Sequence, residues 1–438
     1  MEIPDEIFLA QGGAVSLTPE PIPFDVKIVF VGERATYYVM AELDRELDEH
    51  VKVIADFEDD VPRTAETELA YARLCAKLIK QISDDPEVSA LVDDVVVAEQ
   101  GTQKVVDDPE FPAAEAALDG RLRVIEQANL GGSGGFARAQ YETLKADRSK
   151  YVLFLDDDIV METESILRTI TFGDLCRRPS IVGGHMFSLF RKTQLHSFGE
   201  VINRWRFWWM SPLTVENDWD FAARNLRSTR WLHRRIDADF NPWFFCLIPT
   251  EVVKEIGLGL PLFIKWDDSE YGVRAQAAGF PTISMPGAAV WHVPWTDKND
   301  ALDWQAYFHQ RNRFVAALLH SPFPRGGRMV RESLNHTAVH LLSMHYSTVE
   351  LRLKALEDVL AGPHRLHPDL VTKLPEVRAL RSDFADAQTK SDPDAFPPVR
   401  RAKPRKRAFS HELIGRGAQL TAAAKGAVRQ FLPVRPMS

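Results

Sequence analysis

The sequence predicts an α/β protein, and three observations support that prediction. Apolar runs of strand length alternate with segments of helical period over roughly the first 160 residues. Several of these runs end in polar or glycine-rich stretches, as strands do where ligands bind beyond their carboxyl ends. Of the 438 residues, 45% are hydrophobic, enough for a sizeable core and too many for a disordered chain. Continuously apolar strands that alternate with helices predict a parallel sheet covered on both faces.

The predicted elements follow one another along the chain. The strand-like runs are VKIVFVG (26–32), VKVIAD (51–56), DVVVAEQ (94–100), LRVIEQ (122–127) and YVLFLDD (151–157). Segments such as ATYYVMAELDREL and ETELAYARLCAKLIKQI have helical period, as do ALDWQAYFHQRNRFVAALLH and STVELRLKALEDVLAG further on. This order predicts an N-terminal segment (1–24), an α/β domain (25–300), a helical region (301–378), a basic proline-rich linker (379–408) and an amphipathic C-terminal helix (409–438).

Charge and cysteine content argue against several classes of protein. The formal net charge of -9 argues against a nucleic-acid binder. The three cysteines, Cys75, Cys176 and Cys246, fit neither a disulfide framework nor a zinc site. No stretch approaches the roughly 18 apolar residues of a membrane-spanning helix, and the N-terminus lacks the features of a signal peptide. We therefore expect a cytoplasmic protein, or one on the inner face of the plasma membrane.

The C-terminal segment allows two interpretations. It places an apolar stripe at helical spacing, after the basic run PPVRRAKPRKR; the stripe consists of Leu413, Leu420, Ala424, Val428 and Phe431. One interpretation is a helix docked on its own domain or on a sister subunit. Docking on a sister subunit would make the protein a homo-oligomer. The other is a basic arm and helix that rest on an anionic bilayer, as a peripheral membrane contact.

Three adjacent carboxylates, Asp156, Asp157 and Asp158, stand at the end of the apolar run in the strand predicted at 151–157. Carboxylates held this close raise one another's pKa unless a cation neutralises them, so the triplet predicts a divalent-metal platform for a diphosphate. Asp156 and Asp158 point to the same side of an extended segment, which leaves Asp157 free for a sugar hydroxyl. The alternative is an acidic loop that caps a helix beginning near Glu162.

Two further stretches add polar groups. QANLGGSGGFARAQYE (127–142) places glycines before a helix, where backbone amides approach an anion closely. The stretch lacks the GKS or GKT ending of a P-loop and the GxGxxG spacing of a dinucleotide-binding motif. FIKWDDSEYGVRAQAAGF (263–280) offers Asp267 and Asp268, and a carboxylate there would serve as a general base, or Asp268 as a helix cap. His292 ends an apolar run and is the candidate third metal ligand. Four aromatic residues are either core or sugar platforms: Trp209, Trp243, Phe244 and Trp295.

Taken together, the motifs resemble a known family. EQGT, NLGGSGGFARAQYE, FLDDDI, LHSFGEV, RRIDADFNPWFFCLIP, PLFIKWDDSEYGVRA and WHVPWTDKNDALDWQAYFHQRNR are similar to motifs of the polymerising galactofuranosyltransferases that build mycobacterial cell-wall galactan. These are members of glycosyltransferase family 2 with a GT-A fold. The resemblance runs from about residue 83 to the end of the linker. It implies an inverting transfer of galactofuranose from UDP-galactofuranose to O5 or O6 hydroxyls of a polyprenyl-linked galactan in arabinogalactan synthesis, with Mn²⁺ or Mg²⁺.

The resemblance also implies roles for individual residues. Asp156, Asp158 and His292 would hold the metal and the diphosphate, and Asp157 would touch the donor sugar. Asp268 would be the catalytic base. Two residues would contact the nucleotide, Gln100 and Asn129. The acceptor groove would be lined by His196, Glu200, Trp209, Trp243, Asp267 and Trp295, with Phe244 replacing the second of the family's two adjacent tryptophans.

One family motif is missing at its expected place. The family opens its nucleotide domain with a strand ending in Thr-Phe-Asn-Arg, whose arginine contacts UDP. Tyr71 stands at that arginine position, inside a segment with helical period. Either VKIVFVGER supplies the strand with Arg34 as the substitute, or the uridine pocket is altered. Two alternative functions therefore stay open: a family 2 transferase with another nucleotide sugar, such as a rhamnosyl donor, and a catalytically silent sugar-binding scaffold.

Overall fold

The computed structural model describes residues 65–212, 219–295 and 300–388, together with Ala424 and Val428. The predicted N-terminal segment (1–24) and the predicted strands at 26–32 and 51–56 lie outside these residues, and so does Arg34. The linker from residue 389 onwards and the rest of the C-terminal helix (409–438) lie outside them as well. The predicted domain boundaries stay predictions.

The first half of the described chain alternates helices with short strands. Its elements are α1 (Ala65–Asp84), α2 (Pro86–Leu91), β1 (Val95–Glu99), α3 (Phe111–Leu118), β2 (Leu122–Glu126), α4 (Gly131–Ala146), β3 (Tyr151–Leu155), β4 (Val160–Met161) and α5 (Glu164–Leu175). Local signals set some of these bounds. The Asp85 carboxylate accepts hydrogen bonds from the backbone N–H groups of Glu87 and Val88, which caps α2. The strands predicted at 94–100, 122–127 and 151–157 are confirmed to within two residues.

The second half adds more strands and then a run of helices. The strands are β5 (Ile181–Ser188), β6 (Gln194–Ser197), β7 (Val201–Asn203), β8 (Trp208–Met210), β9 (Trp219–Asp220), β10 (Ile236–Ala238), β11 (Phe245–Pro249) and β12 (Thr282–His292). The helices are α6 (Thr250–Ile256), α7 (Asp267–Ala277), α8 (Gln305–His320), α9 (Met329–Leu342), α10 (Tyr346–Ala361) and α11 (Leu366–Ser382). Of the helices within the described ranges, none combines the length and apolarity needed to span a bilayer.

Within the described residues the larger sheet has eight strands of mixed direction. Its main path runs β10–β12–β5–β11–β3, while β4 pairs with β12, and β6 pairs with β5 and β9. β12 is parallel to β5, whereas β11 is antiparallel to both β5 and β3. Because β11 runs the opposite way between them, β3 and β5 point in the same direction as β12. Asp156, which follows β3, and His292, which ends β12, therefore reach the same edge of the sheet.

The prediction of a wholly parallel sheet is wrong. β1 and β2 do form a parallel pair, with Val95 opposite Leu122 and Glu99 opposite Glu126. β3 instead pairs with the antiparallel strand β11, all of whose residues are buried. A strand buried on both faces is a continuous apolar run in either direction, so the sequence pattern could not separate the two pairings.

A cavity of about 750 Å³ lies between β1 and β3. Consecutive residues of both strands line it, 95–98 of β1 and 151–155 of β3. Since consecutive strand residues point alternately to the two faces, the cavity runs along the facing edges of the two strands. Among residues 65–212, 219–295 and 300–388, no further strand pairs with β1 or β3. The β1–β2 pair and the larger sheet are therefore separate sheets in the described part of the chain.

The larger sheet is covered on both faces, as predicted. Phe245 of β11 packs in one cluster with Ile166 of α5, while its neighbour Cys246 packs in another with Val252 of α6. Burial of each large apolar side chain contributes about 2 kcal/mol to folding. The two clusters fix the sheet between its helices, and this holds the strand ends that carry the aspartates.

The helices after β12 pack on one another through a buried cluster that includes Phe308 of α8, Leu351 of α10 and Val377 of α11. Lys373, which is fully buried, holds α10 and α11 together with its Nζ atom 2.8 Å from Asp358 Oδ2. α11 ends at Ser382, three residues beyond the predicted start of the linker at 379. The predicted C-terminal helical extension is therefore present over residues 305–382.

Candidate functional site

Three predicted metal ligands, Asp156, Asp158 and His292, lie together at the ends of β3 and β12. One ligand atom from each lies within 4.8 Å of the other two. His292 Nε2 is 3.0 Å from Asp158 Oδ1 and 4.0 Å from Asp156 Oδ2. β4 follows the aspartates and pairs with β12 through Val160 opposite Trp291, which brings the triplet beside the histidine. The structure thus assembles two carboxylates and an imidazole from distant parts of the sequence.

The orientation of His292 suits metal binding. The residue is 4% exposed, and its Nδ1 atom lies 2.6 Å from the carbonyl oxygen of Val293. When Nδ1–H donates to that carbonyl, the lone pair of Nε2 faces the two carboxylates. Carboxylates are the ligands that Mg²⁺ and Mn²⁺ prefer, so this donor set fits a divalent cation.

The aspartate triplet does not cap the helix that follows it. α5 begins at Glu164 and Thr163 occupies the cap position, so the helix-cap alternative has no support in the structure. Asp156 and Asp157 line the cavity instead. Loss of solvation beside the cavity and the charge of Asp158 raise the pKa of Asp157, although its side chain keeps access to solvent.

The predicted nucleotide contacts, Gln100 and Asn129, shape the glycine turn before α4. Gln100 Oε1 accepts from the backbone N–H of Leu130 at 2.7 Å, and its Nε2 donates to Gly131 O at 3.1 Å. Asn129 Oδ1 accepts from Gly131 N at 3.0 Å. Both side chains line the same cavity as Asp156 and Asp157. The turn and Asp156, one of the three candidate metal ligands, therefore border one space.

The second acid pair lies in the first turn of α7. Trp266 occupies the cap position, so Asp268 is not the cap of this helix. Burial raises the pKa of both Asp267 and Asp268, and the negative charge of Glu200 raises that of Asp268 further. A carboxylate whose pKa lies nearer neutrality is a better proton acceptor, as a general base requires.

Glu200 belongs to the same acidic surroundings. Burial raises its pKa from 4.5 to about 7, although it accepts a hydrogen bond from Ser197 Oγ at 3.3 Å. Its backbone N–H donates to Phe240 O at 2.9 Å, which fixes the residue against the loop before β11. The predicted acceptor residue and the predicted base therefore interact electrostatically.

His196 and Trp295 form one wall of the predicted acceptor region. His196 Nε2 accepts from the backbone N–H of Trp295 at 3.1 Å, and the two rings meet edge to face at 5.6 Å. Both residues are half-buried. Phe244 packs behind them, with its ring centroid 6.5 Å from that of Trp295.

The other predicted sugar platforms differ in exposure. Trp209 is half-buried and packs on Trp266 with centroids 4.5 Å apart, next to the acid pair of α7. Trp243 is 5% exposed and its ring meets Phe136 and Phe154, each at 5.0 Å. Phe244 is only 4% exposed. The structure therefore places Trp243 and Phe244 in the core, where their rings have no open face for a sugar.

Tyr71, at the position of the family arginine, lies within α1. This agrees with the helical period of its segment, and no strand ends there. Its proposed substitute, Arg34, lies outside the described residues.

Sequence reasoning missed the residues that hold the acid pair in place. Asn312 of α8 is fully buried and donates to carbonyl oxygens of the loop before α7. The backbone N–H of Ser133, in the first turn of α4, donates to Phe263 O of that loop at 3.1 Å. The polar run QRNR, which interrupts the apolar stretches of α8, was the available signal, because buried polar side chains need partners.

Models of three families match the chain. "Glycosyltransferase like family 2" matches residues 70–317, and "Galactofuranosyltransferase-2, domain 3" matches residues 329–438. A third, "LonB-like, AAA domain", matches residues 4–58. The first of these matches covers more than half of the 438 residues and contains every predicted site residue.

Two curated relatives carry the name galactofuranosyltransferase GlfT2. The protein from Mycolicibacterium smegmatis (strain ATCC 700084 / mc(2)155) is 43% identical over 362 residues, 82% of this chain and 55% of the relative. The protein from Mycobacterium tuberculosis (strain ATCC 25618 / H37Rv) is 44% identical over 330 residues, 74% of this chain and 52% of the relative. The chain thus spans about half the length of the curated relatives it matches.

Solved structures show weaker similarity. The mannosyltransferase PcManGT from Pyrobaculum calidifontis, in complex with GDP-Man and Mn²⁺, is 13% identical with a TM-score of 0.35, over 72% of this chain and 82% of that one. S. aureus TarS 1-349 in complex with UDP is 13% identical with a TM-score of 0.37, over 72% and 85%. Similarity at this level carries no conclusion about ligands.

From the family match, together with the mixed sheet, its covering helices and the C-terminal helices, we conclude that the chain belongs to glycosyltransferase family 2 and has the predicted GT-A fold.

Proposed function

We propose that this protein is a metal-dependent, inverting glycosyltransferase that moves galactofuranose from UDP-galactofuranose to O5 or O6 hydroxyls of a polyprenyl-linked galactan. The observation that carries the proposal is the cluster of Asp156, Asp158 and His292 beside a cavity of about 750 Å³. The names of the two curated relatives support galactofuranose as the transferred sugar.

The donor side uses the cavity and the metal ligands. Asp156, Asp158 and His292 would hold Mn²⁺ or Mg²⁺, which when bound offsets negative charge on the departing UDP. Asp157 would contact the donor sugar from the cavity wall. Gln100 and Asn129 would act by fixing the glycine turn, since their amide groups already bond to its backbone.

The acceptor side uses the first turn of α7. Asp268 would remove the proton of the acceptor hydroxyl while the hydroxyl oxygen bonds to the anomeric carbon. The bond between that carbon and the UDP oxygen would break at the same time, and UDP would leave from the opposite face. This one displacement inverts the anomeric centre. Burial and the Glu200 charge raise the pKa of Asp268, which brings the base nearer the pH at which it works.

The acceptor sugar would bind between two half-buried surfaces. One is His196 with Trp295, and the other is Trp209, which packs on Trp266 beside the acid pair. Glu200 and Asp267 would hydrogen-bond to sugar hydroxyls. Trp243 and Phe244 would support this region from the core rather than stack on the sugar.

Incubation with UDP-galactofuranose, Mn²⁺ and a short synthetic galactofuranose acceptor tests the proposal directly. We expect products longer by whole galactofuranose units in the mass spectrum, and at least about 100-fold slower product formation after Asp268→Asn. Products from a nucleotide rhamnose in place of UDP-galactofuranose would assign a different donor to the same site.

A catalytically silent sugar-binding scaffold is the second candidate. The observation that favours it is the position of Tyr71 within α1, where the family has a strand and an arginine that contacts UDP. Calorimetric titration of UDP with and without Mn²⁺ separates the two functions, because a transferase requires metal-dependent UDP binding. Sugar binding without UDP binding would support the scaffold.

We also propose that the protein acts in the cytoplasm at the inner face of the plasma membrane, where a polyprenyl-linked acceptor would be held. The basic run at 397–407 and most of the apolar stripe after it lie outside the described residues. Flotation with anionic and neutral vesicles, repeated after deletion of residues 397–438, tests this location. A homo-oligomer stays a separate proposal, which the molar mass in solution would test.

A further inference from the structure

The loop before α7 has an unusual backbone. Between Leu262 and the first turn of α7, three residues adopt positive φ angles: Phe263 at 70°, Lys265 at 66° and Trp266 at 71°. Side chains other than glycine disfavour this left-handed conformation because Cβ approaches the backbone too closely. A loop with three such residues holds its shape only if its surroundings fix it. Asp267 and Asp268 follow it directly.

Asn312 of α8 supplies that restraint. Its side chain is fully buried, and its Nδ2 atom lies 2.9 Å from Leu262 O, 2.7 Å from Ile264 O and 2.9 Å from Lys265 O. Its Oδ1 atom accepts from Arg311 Nε at 2.8 Å. One amide group therefore binds three carbonyl oxygens of the loop and is itself held by its neighbour.

The same loop touches the donor side and the acceptor side of the site. Phe263 O accepts from the backbone N–H of Ser133, in the glycine turn, at 3.1 Å. Trp266 packs on Trp209, the half-buried predicted sugar platform, with centroids 4.5 Å apart. A change in the loop would therefore move the base and the acceptor platform, while the candidate metal ligands lie elsewhere, between β3 and β4 and at the end of β12.

We propose that Asn312 is a positioning residue for the transfer reaction: its side-chain amide holds the loop at 262–266 in the shape that aims Asp268 at the acceptor hydroxyl. This inference rests on the proposed function. The hydrogen bonds of the Asn312 side chain join it to the loop and to Arg311, so Asn312 acts through the loop. The three carbonyl oxygens around its Nδ2 atom account for an amide side chain at this buried position of α8.

Asn312→Asp is the sharpest variant. It keeps the shape of the side chain and the oxygen that accepts from Arg311, but it replaces the NH₂ donor with an oxygen that repels the three carbonyls. Gln310→Glu is the matched control, because Gln310 is 1% exposed on the same helix and its Nε2 atom donates to Ser333 Oγ at 2.5 Å, away from the loop. Asn312→Ser is a second variant that adds no charge and keeps a single, shorter donor.

Two measurements on the full chain would test the proposal. The first is steady-state kinetics with UDP-galactofuranose and the synthetic acceptor, beside calorimetry of UDP with Mn²⁺. We expect Asn312→Asp to lower kcat by about 100-fold, as a small misplacement of a catalytic group does, with KM for the donor and the UDP affinity within about threefold. The second is hydrogen exchange followed by peptide mass spectrometry, in which amides of 263–270 should exchange at least about tenfold faster. Gln310→Glu should leave kcat and the exchange of 263–270 unchanged.

Exchange at 263–270 that stays at the wild-type rate in Asn312→Asp and Asn312→Ser would overturn the inference, whatever the activity. So would an equal loss of kcat in Gln310→Glu at a similar melting temperature. If Asn312→Asp does not fold, Asn312→Ser decides by the same two readouts. A wild-type chain that transfers no galactofuranose, while the exchange of the loop still depends on Asn312, would refute the proposed function and leave the restraint on the loop established.

Discussion

His292 Nε2 lies 3.0 Å from Asp158 Oδ1, although the two residues are far apart in the sequence. The contact depends on β4, which follows the aspartates and pairs with the last residues of β12. Two carboxylates and an imidazole at this separation attract a cation, because the carboxylates otherwise repel one another in a partly buried place. The predicted affinity of the donor site for a divalent cation follows from this geometry.

Asp158→Asn should abolish the dependence of UDP binding on Mn²⁺. We expect UDP affinity in the presence of Mn²⁺ to fall by at least about 100-fold, because the variant loses a charged ligand. Calorimetry measures the affinity, and the melting temperature should rise with Mn²⁺ in the wild type only. Asp147→Asn is the control, since Asp147 is 69% exposed and pairs with Lys254 on the surface. Unchanged Mn²⁺ dependence in Asp158→Asn would show that the metal binds elsewhere.

Asp268→Asn should separate binding from chemistry. We expect kcat to fall by about 10²- to 10⁴-fold, because the amide accepts no proton, while Mn²⁺-dependent UDP affinity stays at the wild-type value. In the wild type, activity should fall as the pH drops through the raised pKa of Asp268, since only the carboxylate form is a base. Asp237→Asn, at an exposed ion pair with Arg235, should retain full activity. Full turnover in Asp268→Asn would transfer the role of base to another residue.

Much of this arrangement could be predicted from the sequence, and the exceptions have physical causes. The triplet at 156–158 and His292 were recognisable as site residues because each lies at the end of an apolar run. The carboxyl ends of strands that run in the same direction lie at the same edge of a sheet. The direction of β11 was not recognisable, since a fully buried strand has no polar face to set its register. The exposure of Trp243 and Phe244 depends on how Phe136, Phe154 and Trp295 pack around them, and residue type alone cannot give it.

The loop at 262–266 shows a second limit. Its residues, LFIKW, include no glycine, so nothing in the sequence predicts three positive φ angles there. That backbone exists because Asn312, far along the chain, binds its carbonyl oxygens. Restraint by a distant side chain leaves no pattern within the loop itself, and the polar run QRNR of α8 does not tell which segment it contacts. The base could therefore be predicted, but its support could not.

Glu200→Gln should make stability less dependent on pH. Burial raises the pKa of Glu200 from 4.5 to about 7, so the folded protein binds the proton more tightly than the unfolded chain does. The contribution of Glu200 to the free energy of unfolding is therefore complete below its pKa in the unfolded chain. It is lost as the pH rises through its pKa in the folded protein. Between about pH 5 and about pH 8 we expect the wild type to lose on the order of 2 kcal/mol relative to Glu200→Gln. Urea unfolding at several pH values measures this, and parallel curves for the two proteins would contradict it.

Gly131→Ala should disrupt the contact between the glycine turn and the loop before α7. Gly131 has a φ of 71°, and a Cβ atom there would lie 2.1 Å from Phe263 O. Gly120 is the matched control, because its φ of 77° is equally left-handed but nothing lies within 4 Å of its Cβ position. Both alanine variants should carry about 1 kcal/mol of backbone strain, and Gly131→Ala should lose about 1 to 3 kcal/mol more, together with UDP affinity. Equal losses in urea unfolding, with unchanged UDP binding in calorimetry, would show that the turn and the loop move apart without cost.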